Sequence, residues 1–504
     1  MNKIRNLFWG MLLAALPILF FSGCKKFLDR KPLTATLDDL NQGGLEGQIF
    51  GIYGAIRNGD VAGQGFGGIP WLAMNNFRSD DSEKGSSASD GADWGVIFDQ
   101  FEYGGGKDHW ANTTFWDHHY VLIGLANTAL QTADSLNLSS PADMVNRAEA
   151  RFFRAFSYFD LVRAYGEVPK IDFRIYNPSD GRKAKSPVAE IYALIDADLN
   201  FAETHLPLDW NNPTGQSRFP GRLTTGAAKT LQAKTYLYRQ NWTAALSLAE
   251  QVINSGEYSL MSNFSNIWKE AGENGPESIF EIQAYVGPGG VDNFFSWNAI
   301  TQGVRGAGDW DLGWGWNAPT QELVDAFEPN DPRKNATILF SGQPDDYGKI
   351  VPDFPSIPRR YWNKKVYPEP AMQTLTGSRQ GGWINQRVLR YADVLLMAAE
   401  AATEIGEAAN FVKAVNWVNQ IRARAGGGLS PVTFTTQDDL RMAIRNERRY
   451  ELALEGERFY DLVRWGMAQS VLGSLGYQNK HRYFPIPQSA IDFSGGILIQ
   501  NPEW

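Results

Sequence analysis

Cysteine is almost missing from this sequence: Cys24 is the only one among 504 residues. A single thiol excludes a disulfide within the chain, even in a compartment where disulfides form. The folded body therefore depends on packing for its stability, and 43% of its residues are hydrophobic. Since the chain is longer than one typical core requires, we expect two or more closely packed lobes.

Long apolar runs are also missing after the N-terminus. Residues 7–21 form an apolar run interrupted only by Gly10 and Pro17. This run is shorter than the roughly 20 residues that a membrane-spanning helix needs. Lys3 and Arg5 precede it and small residues follow it, which is the layout of a signal peptide.

The predicted cleavage site places Cys24 directly after Ser22 and Gly23. A thiol in this position is typical of a bacterial lipoprotein, whose cysteine is acylated and becomes the first residue. We therefore expect residues 1–23 to be a lipoprotein signal peptide and residues 24–36 a lipidated tether, since two or more acyl chains anchor a protein stably. An ordinary secretory signal with an incidental cysteine is the alternative.

An excess of positive charge is absent as well. The chain has 47 Lys and Arg against 56 Asp and Glu, a formal net charge of -9. This balance argues against nucleic acid or an anionic membrane surface as a partner.

Histidine is scarce, with five residues in all. His118 and His119 are adjacent and would point about 100° apart on a helix, so a zinc site with converging ligands is not expected. An acidic cluster follows Asp80, but its spacing matches no calcium loop, and we interpret it as turns and caps. We expect no cofactor. A carboxylate pair for glycoside hydrolysis can come from anywhere in a chain, so that possibility stays open.

Helical periodicity is what the sequence does have. The pairing of small Ala233, Ala245 and Ala249 with Tyr236 is typical of a tetratricopeptide-type helical pair, in which small residues let two helices approach. Predicted helices cover residues 37–58, 116–134, 141–165, 187–203, 223–239, 242–255, 388–405, 411–425 and 437–466, with a bend expected near Gly456 in the last of them. Residues 263–382 lack a sustained helical period except near 322–327, and so long a stretch indicates a functional lobe.

Tryptophan is concentrated in the irregular regions. Trp297, Trp310, Trp314 and Trp316 lie among glycines, and an exposed indole can stack on the apolar face of a sugar ring. In an extended segment, Trp314 and Trp316 would share one face. The flanking polar residues suited to sugar hydroxyls are Arg305, Asp309, Asp311 and Asn317. Trp94 and Trp110 are further candidates, and the alternative for all six indoles is that they fill the junction between lobes.

Several long segments resemble the signature segments of the SusD/RagB family. They include residues 148–169 (AEARFFRAFSYFDLVRAYGEVP), 446–466 (NERRYELALEGERFYDLVRWG) and 484–488 (FPIPQ), together with the lipoprotein start followed by Phe27-Leu28-Asp29. We interpret these residues as scaffold. The spacing predicts local ion pairs between Arg448 and Glu451, Arg458 and Asp461, and Asp461 and Arg464.

The resemblance implies a mainly α fold: a scaffold of tetratricopeptide-like helical repeats with large loop-rich insertions. Residues 37–262 would form an N-terminal region with helical pairs and early binding loops. Residues 263–382 would be a loop-rich insertion that forms much of the ligand face, and residues 383–504 would complete the repeats.

The resemblance also implies a function. Family members are non-enzymatic lipoproteins of the outer-membrane surface that capture nutrients, usually oligosaccharides, for a SusC-like TonB-dependent transporter. The family's ligand contacts lie in the early loop region and the mid-chain insertion without a residue-by-residue match. Within those regions the expected ligand-binding residues are Arg78, Trp94, Trp310, Trp314 and Trp316, and Trp297 joins them from the pattern above. A peptide-binding or other nutrient-binding member, a lipid-anchored glycoside hydrolase and a scaffold that binds only protein are the alternatives.

Overall fold

A computed structural model describes residues 43–57, 65–211, 219–291, 293–424 and 429–504. The expected signal peptide, the acylated Cys24 and the tether at 24–36 lie outside these residues.

Within the described residues, ten helices form the scaffold, and the predicted mainly α fold is confirmed. Consecutive helices pack against each other as in tetratricopeptide repeats. Their bounds are α1 Gly44–Arg57, α2 Trp110–Ser135, α3 Pro141–Tyr165, α4 Val188–His205, α5 Thr225–Tyr238, α6 Trp242–Asn254, α7 Tyr391–Ile405, α8 Ala408–Arg424, α9 Gln437–Leu452 and α10 Arg458–Arg464.

Helix α3 shows how the sequence sets these bounds. Ser140 and Asp143 form a capping box at its start, with Pro141 in the first turn, where no amide donor is needed. The helix ends at Gly166, whose φ is +76°. It is buried on most sides between α2 and α4, because apolar side chains surround it.

The helical stretch predicted over 437–466 is present as two helices, with the interruption close to Gly456, where the sequence indicates a bend. Helix α9 ends at Leu452, Leu454 and Gly456 adopt left-handed backbone conformations, and α10 starts at Arg458. Glycine tolerates this conformation without a steric cost.

In the part of the chain that the structure describes, the strands are short and form three antiparallel pairs: β1 with β3, β2 with β6, and β4 with β5. The β1–β3 pair joins the early loop region to the mid-chain region, with Gly85 opposite Trp316. The strands are β1 Ser82–Gly85, β2 Ser278–Ile282, β3 Trp316–Pro319, β4 Ile338–Phe340, β5 Tyr361–Asn363 and β6 Gln386–Arg390.

Short helices occupy the loop-rich parts, including residues 263–382. The helix expected near 322–327 is present as Gln321–Ala326. The other short helices of residues 263–382 were not predicted, because they are too short to show a helical period. The short α-helices are Ile69–Leu72, Ala92–Trp94, Trp297–Gln302, Gln321–Ala326, Pro332–Thr337, Pro370–Thr376, Ala468–Leu472 and Gln488–Phe493, and π-helical turns span Ala73–Phe77 and Gly95–Asp99.

Buried ion pairs connect the insertion to the C-terminal helices. Glu451 contacts Arg333, Arg390 and Arg424 at 2.5–3.3 Å, all of them buried. Of the three local pairs expected from spacing, only Asp461 with Arg464 forms, at 2.7 Å. The other two expectations are wrong because the side chains have longer-range partners.

Arg448 binds Asp393 and Asp461, and Arg458 binds Asp80. These contacts tie distant parts of the chain together. Across the described ranges, no helix has the length and apolar character needed to cross a bilayer.

Candidate functional site

A cleft of about 650 Å³ lies where the early loops meet the mid-chain loops. Its walls come from segments far apart in sequence, brought together by the β1–β3 pair. The lining residues are Ile69, Asp90, Gly91, Trp94, Trp110, Arg305, Gly306, Asp311, Gly313, Trp314, Trp316 and Gln380.

Trp94 forms the centre of the aromatic wall. Its ring centroid lies 5.3 Å from that of Trp316 and 5.0 Å from that of Trp110, with interplanar angles of 62° and 75°. Trp94 and Trp316 are 4% and 5% exposed, whereas Trp110 is 48% exposed. The first two therefore offer little surface to the cleft, and Trp110 offers much more.

Trp314 precedes Gly315 and Trp316 in the chain and is half-buried. Gly315 has φ +77°, so the segment is not the extended strand that the sequence suggested. A side chain at Gly315 would also collide with Arg305 and Trp362. Even so, both flanking indoles line the same cleft.

Trp297 supports the aromatic wall without lining it. Its ring packs 5.3 Å from Trp314 and 5.2 Å from Phe295. Its position at the start of the helix Trp297–Gln302 fixes one side of the Trp314 ring.

Gly91 shows how closely the wall is packed. Its φ is +59°, and an added Cβ would lie 2.6 Å from the Trp316 ring and 2.9 Å from the Trp94 ring. Only glycine fits both the backbone conformation and the space between the two indoles.

His109 positions Trp110 at the start of α2. Its Nδ1 accepts a hydrogen bond from the amide of Ala111, and its Nε2 lies 3.1 Å from Asp93. The imidazole also packs edge-on against Trp94, 4.8 Å away. Burial lowers the pKa of His109, and Asp93 only partly opposes this effect.

The polar side of the cleft is built around Arg305. Its guanidinium forms an ion pair with Asp90 and donates to the Ser86 hydroxyl at 2.6 Å. Asp311 and Gln380 add a carboxylate and an amide to the lining. This set offers both donors and acceptors beside the indoles.

Three polar or aromatic candidates lie elsewhere. Trp310 is 7% exposed and packs in a separate apolar cluster, with Tyr367 6.5 Å away. Asn317 is fully buried and donates to Gln302 at 2.6 Å. Asp309 pairs with Lys349 at 2.9 Å outside the cleft lining.

Arg78 is placed unlike a ligand-binding residue. Its side chain is fully buried, donates to the Met74 carbonyl at 2.7 and 3.0 Å, and lies 4.0 Å from the Phe459 ring. Its remaining hydrogen bonds go to the hydroxyls of Tyr103 and Tyr460. The expectation of direct ligand contact by Arg78 therefore has no support in this geometry.

Sequence reasoning missed Ile69, Asp90 and Gln380 as lining residues. They lie in three separate segments with no shared spacing, so no local pattern could have grouped them. Within the described part of the chain, no group of three or more His, Cys, Asp or Glu side chains is arranged to hold a metal ion.

Two family models match the chain. The model described as "SusD family" matches residues 276–504, and the model described as "Starch-binding associating with outer membrane" matches residues 63–237. A SusD-like protein of Formosa agariphila is 28% identical over 431 residues, covering 79% of this chain and 81% of the relative.

Solved structures agree in fold. A laminarin binding SusD-like protein matches with a TM-score of 0.73 at 28% identity, covering 91% of this chain and 99% of the other. Surface glycan-binding protein A from Bacteroides fluxus matches with a TM-score of 0.73 at 26% identity, covering 94% and 100%. The family models match residues 63–237 and 276–504, and the helical scaffold agrees with the solved structures. The chain therefore belongs to the SusD/RagB family.

Proposed function

We propose that this protein captures oligosaccharide at the cell surface, in the aromatic cleft, and passes it to a SusC-like TonB-dependent transporter of the outer membrane. The observation that carries the proposal is the convergence of Trp94, Trp110, Trp314 and Trp316 on one cleft that also contains Arg305.

Sugar rings suit such a surface. A pyranose has an apolar C–H face, which stacks on an indole, and a rim of hydroxyls, which need donors and acceptors. Trp110 and Trp314 supply accessible ring surface, and Asp311 and Gln380 supply polar groups beside them. We expect a dissociation constant on the order of 1 mM to 1 μM, because the cleft is open and the ligand must be released onward.

The relatives support this class of ligand. One solved structure is named as binding laminarin, and another as a surface glycan-binding protein. These names describe binding rather than hydrolysis, so we assign the cleft a binding role. Incubation with a glycan panel should leave chain lengths unchanged; shortened products would support the hydrolase alternative instead.

The cellular part of the proposal follows from the family and from Cys24. An acylated Cys24 would hold the protein at the outer membrane, with which one matching family model is associated by name. Mass spectrometry of the mature N-terminus should find a lipid-modified Cys24, and Cys24→Ala should release the protein from membranes. Affinity purification from native membranes should recover a TonB-dependent barrel.

Glycan binding is tested with the full chain, purified in detergent, against neutral and acidic polysaccharides in affinity gels and by calorimetry. We expect retardation and saturable heat with at least one glycan. Replacing Trp314 with alanine should abolish or strongly reduce that signal. Unchanged binding by Trp314→Ala and Trp110→Ala together would overturn this site.

A further inference from the structure

The cleft lining has more acidic than basic side chains. Among the described residues, the charged side chains lining it are Asp90, Arg305 and Asp311: two carboxylates and one guanidinium. The cleft lining therefore carries one net negative charge, which matches the sign of the chain as a whole at -9.

The positive charge in the cleft already has a carboxylate partner. The guanidinium of Arg305 pairs with Asp90 and also donates to Ser86. A backbone bridge brings Arg305 opposite Asp311, yet the Arg305 side chain pairs with Asp90 instead. The cleft therefore presents an arginine that is paired through Nη1 and remains 41% exposed, next to a second carboxylate.

Asp311 has no ion-pair or hydrogen-bond partner for its carboxylate among the described residues, and its side chain is exposed. An exposed carboxylate accepts hydrogen bonds well from hydroxyl groups, and charge makes such bonds stronger than neutral ones. The same group repels a carboxylate or sulfate on a ligand.

Basic residues near the cleft are occupied too. Lys84 is buried, with its ammonium donating to the carbonyls of Ser87 and Asp90 at 2.9 and 2.6 Å. Lys349 pairs with Asp309 at 2.9 Å, and Arg359 pairs with Glu83 at 2.8 Å. Arg379, next to the lining residue Gln380, donates to the Gly308 carbonyl at 2.6 Å and lies 3.7 Å from Asp309, so its charge is also partly balanced by a carboxylate.

We propose that the cleft selects an uncharged glycan and rejects one that carries carboxylates or sulfates, with Asp311 as the residue that determines this selection. The inference rests on the proposed glycan binding. It names the ligand class by charge: a neutral, hydroxyl-rich oligosaccharide.

The test uses one sugar backbone with and without charge. The full chain is titrated with laminarin and with carboxymethylated laminarin, and a panel adds neutral starch and xylan against polygalacturonate and alginate. We expect each bound glycan to be neutral, with at least a tenfold preference over its acidic counterpart. Raising salt from 50 to 500 mM should change the neutral affinity less than twofold, because no ion pair to the ligand forms.

Variants isolate the role of Asp311. Asp311→Lys should improve binding of the carboxymethylated form of a bound glycan at least fivefold, and this gain should disappear at 500 mM salt. Asp492→Lys is the matched control, because Asp492 is an exposed carboxylate outside the cleft lining and its replacement changes the net charge equally. We expect no gain from it.

The outcomes separate the two proposals. Equal or tighter binding of an acidic glycan overturns the charge selection while leaving glycan capture intact. A gain by Asp492→Lys that matches that of Asp311→Lys also overturns the role of Asp311. Binding of no glycan in either class overturns the proposed function, and the inference falls with it.

Discussion

The indole rings of Trp94 and Trp316 meet at a centroid distance of 5.3 Å, with their planes inclined by 62°. One ring belongs to the early loop region and the other to strand β3, so this contact joins two parts of the chain that are distant in sequence. The cleft exists because of that junction. Its integrity and its binding function can therefore be separated by choosing which tryptophan is changed.

Trp110→Ala should weaken glycan binding without reducing stability. The side chain is 48% exposed and lines the cleft, so its loss removes stacking surface but little core packing. We expect about a tenfold loss of affinity, or ~1.4 kcal/mol, by calorimetry, with an unchanged melting temperature. Tyr176→Ala is the control, since Tyr176 is 64% exposed and lies outside the cleft lining; a similar loss there would contradict the assignment.

Trp316→Ala should instead destabilise the fold. The ring is 5% exposed, stacks on Phe77 at 6.0 Å and contacts Trp94. Removing a buried tryptophan costs about 3–5 kcal/mol in free energy of unfolding, measured by urea denaturation. Trp316→Phe should lose less because it keeps part of the ring. Equal stability of the alanine variant and the parent would show that the ring is not packed as described.

Arg78→Ala should lower stability and leave the affinity of the folded protein unchanged. The guanidinium is fully buried and satisfies the Met74 carbonyl and the hydroxyls of Tyr103 and Tyr460. Leaving these groups unpaired costs roughly 1–3 kcal/mol for each buried group. Arg78→Lys should recover part of the loss. A selective loss of affinity at full stability would restore Arg78 as a ligand contact.

Glu203→Gln should raise stability at high pH. Burial raises the pKa of Glu203 to about 7, and Lys229 only partly opposes this. The folded state therefore holds a proton that the unfolded state, with a pKa near 4.3, releases. Stability contributed by this group is complete below about pH 4 and decreases as the pH rises towards 7.

The Glu203→Gln variant should not lose stability as the pH rises, because glutamine does not ionise. Because Glu203 is only partly shielded from solvent, we expect a gain of about 1 kcal/mol at pH 8 and none at pH 4. Urea denaturation at both pH values measures it, with Glu190→Gln, exposed on the same helix α4, as control. The same gain at both pH values would contradict the argument.

The helical scaffold could be predicted from the sequence because its signals are local. Ser140, Pro141 and Gly166 mark the two ends of α3, and apolar periodicity fills the interval. Gly456 indicated the bend after α9, but the exact end of the helix at Leu452 depends on the left-handed backbone of Leu454, which no residue pattern marks. Local ion pairing failed as a guide for Arg448 and Arg458, because burial favours well-placed partners from distant segments over helical neighbours.

The site could be predicted only as a region. Composition indicated that tryptophans on glycine-rich loops would gather there, and Trp94, Trp314 and Trp316 do line the cleft. Composition alone could not distinguish these three tryptophans from Trp310, which packs in a second apolar cluster with Trp362. Exposure depends on which loops cover a ring, and those contacts are long-range.

The central claim is that a glycan binds against the indoles of this cleft. A crystal structure of the protein with a bound oligosaccharide, chosen as the tightest neutral binder in the panel, tests it most directly. We expect a sugar ring stacked on Trp110 or Trp314, with a hydroxyl donating to Asp311. A ligand bound only elsewhere, such as in the 360 Å³ groove beside Trp116 and Phe493, would contradict it.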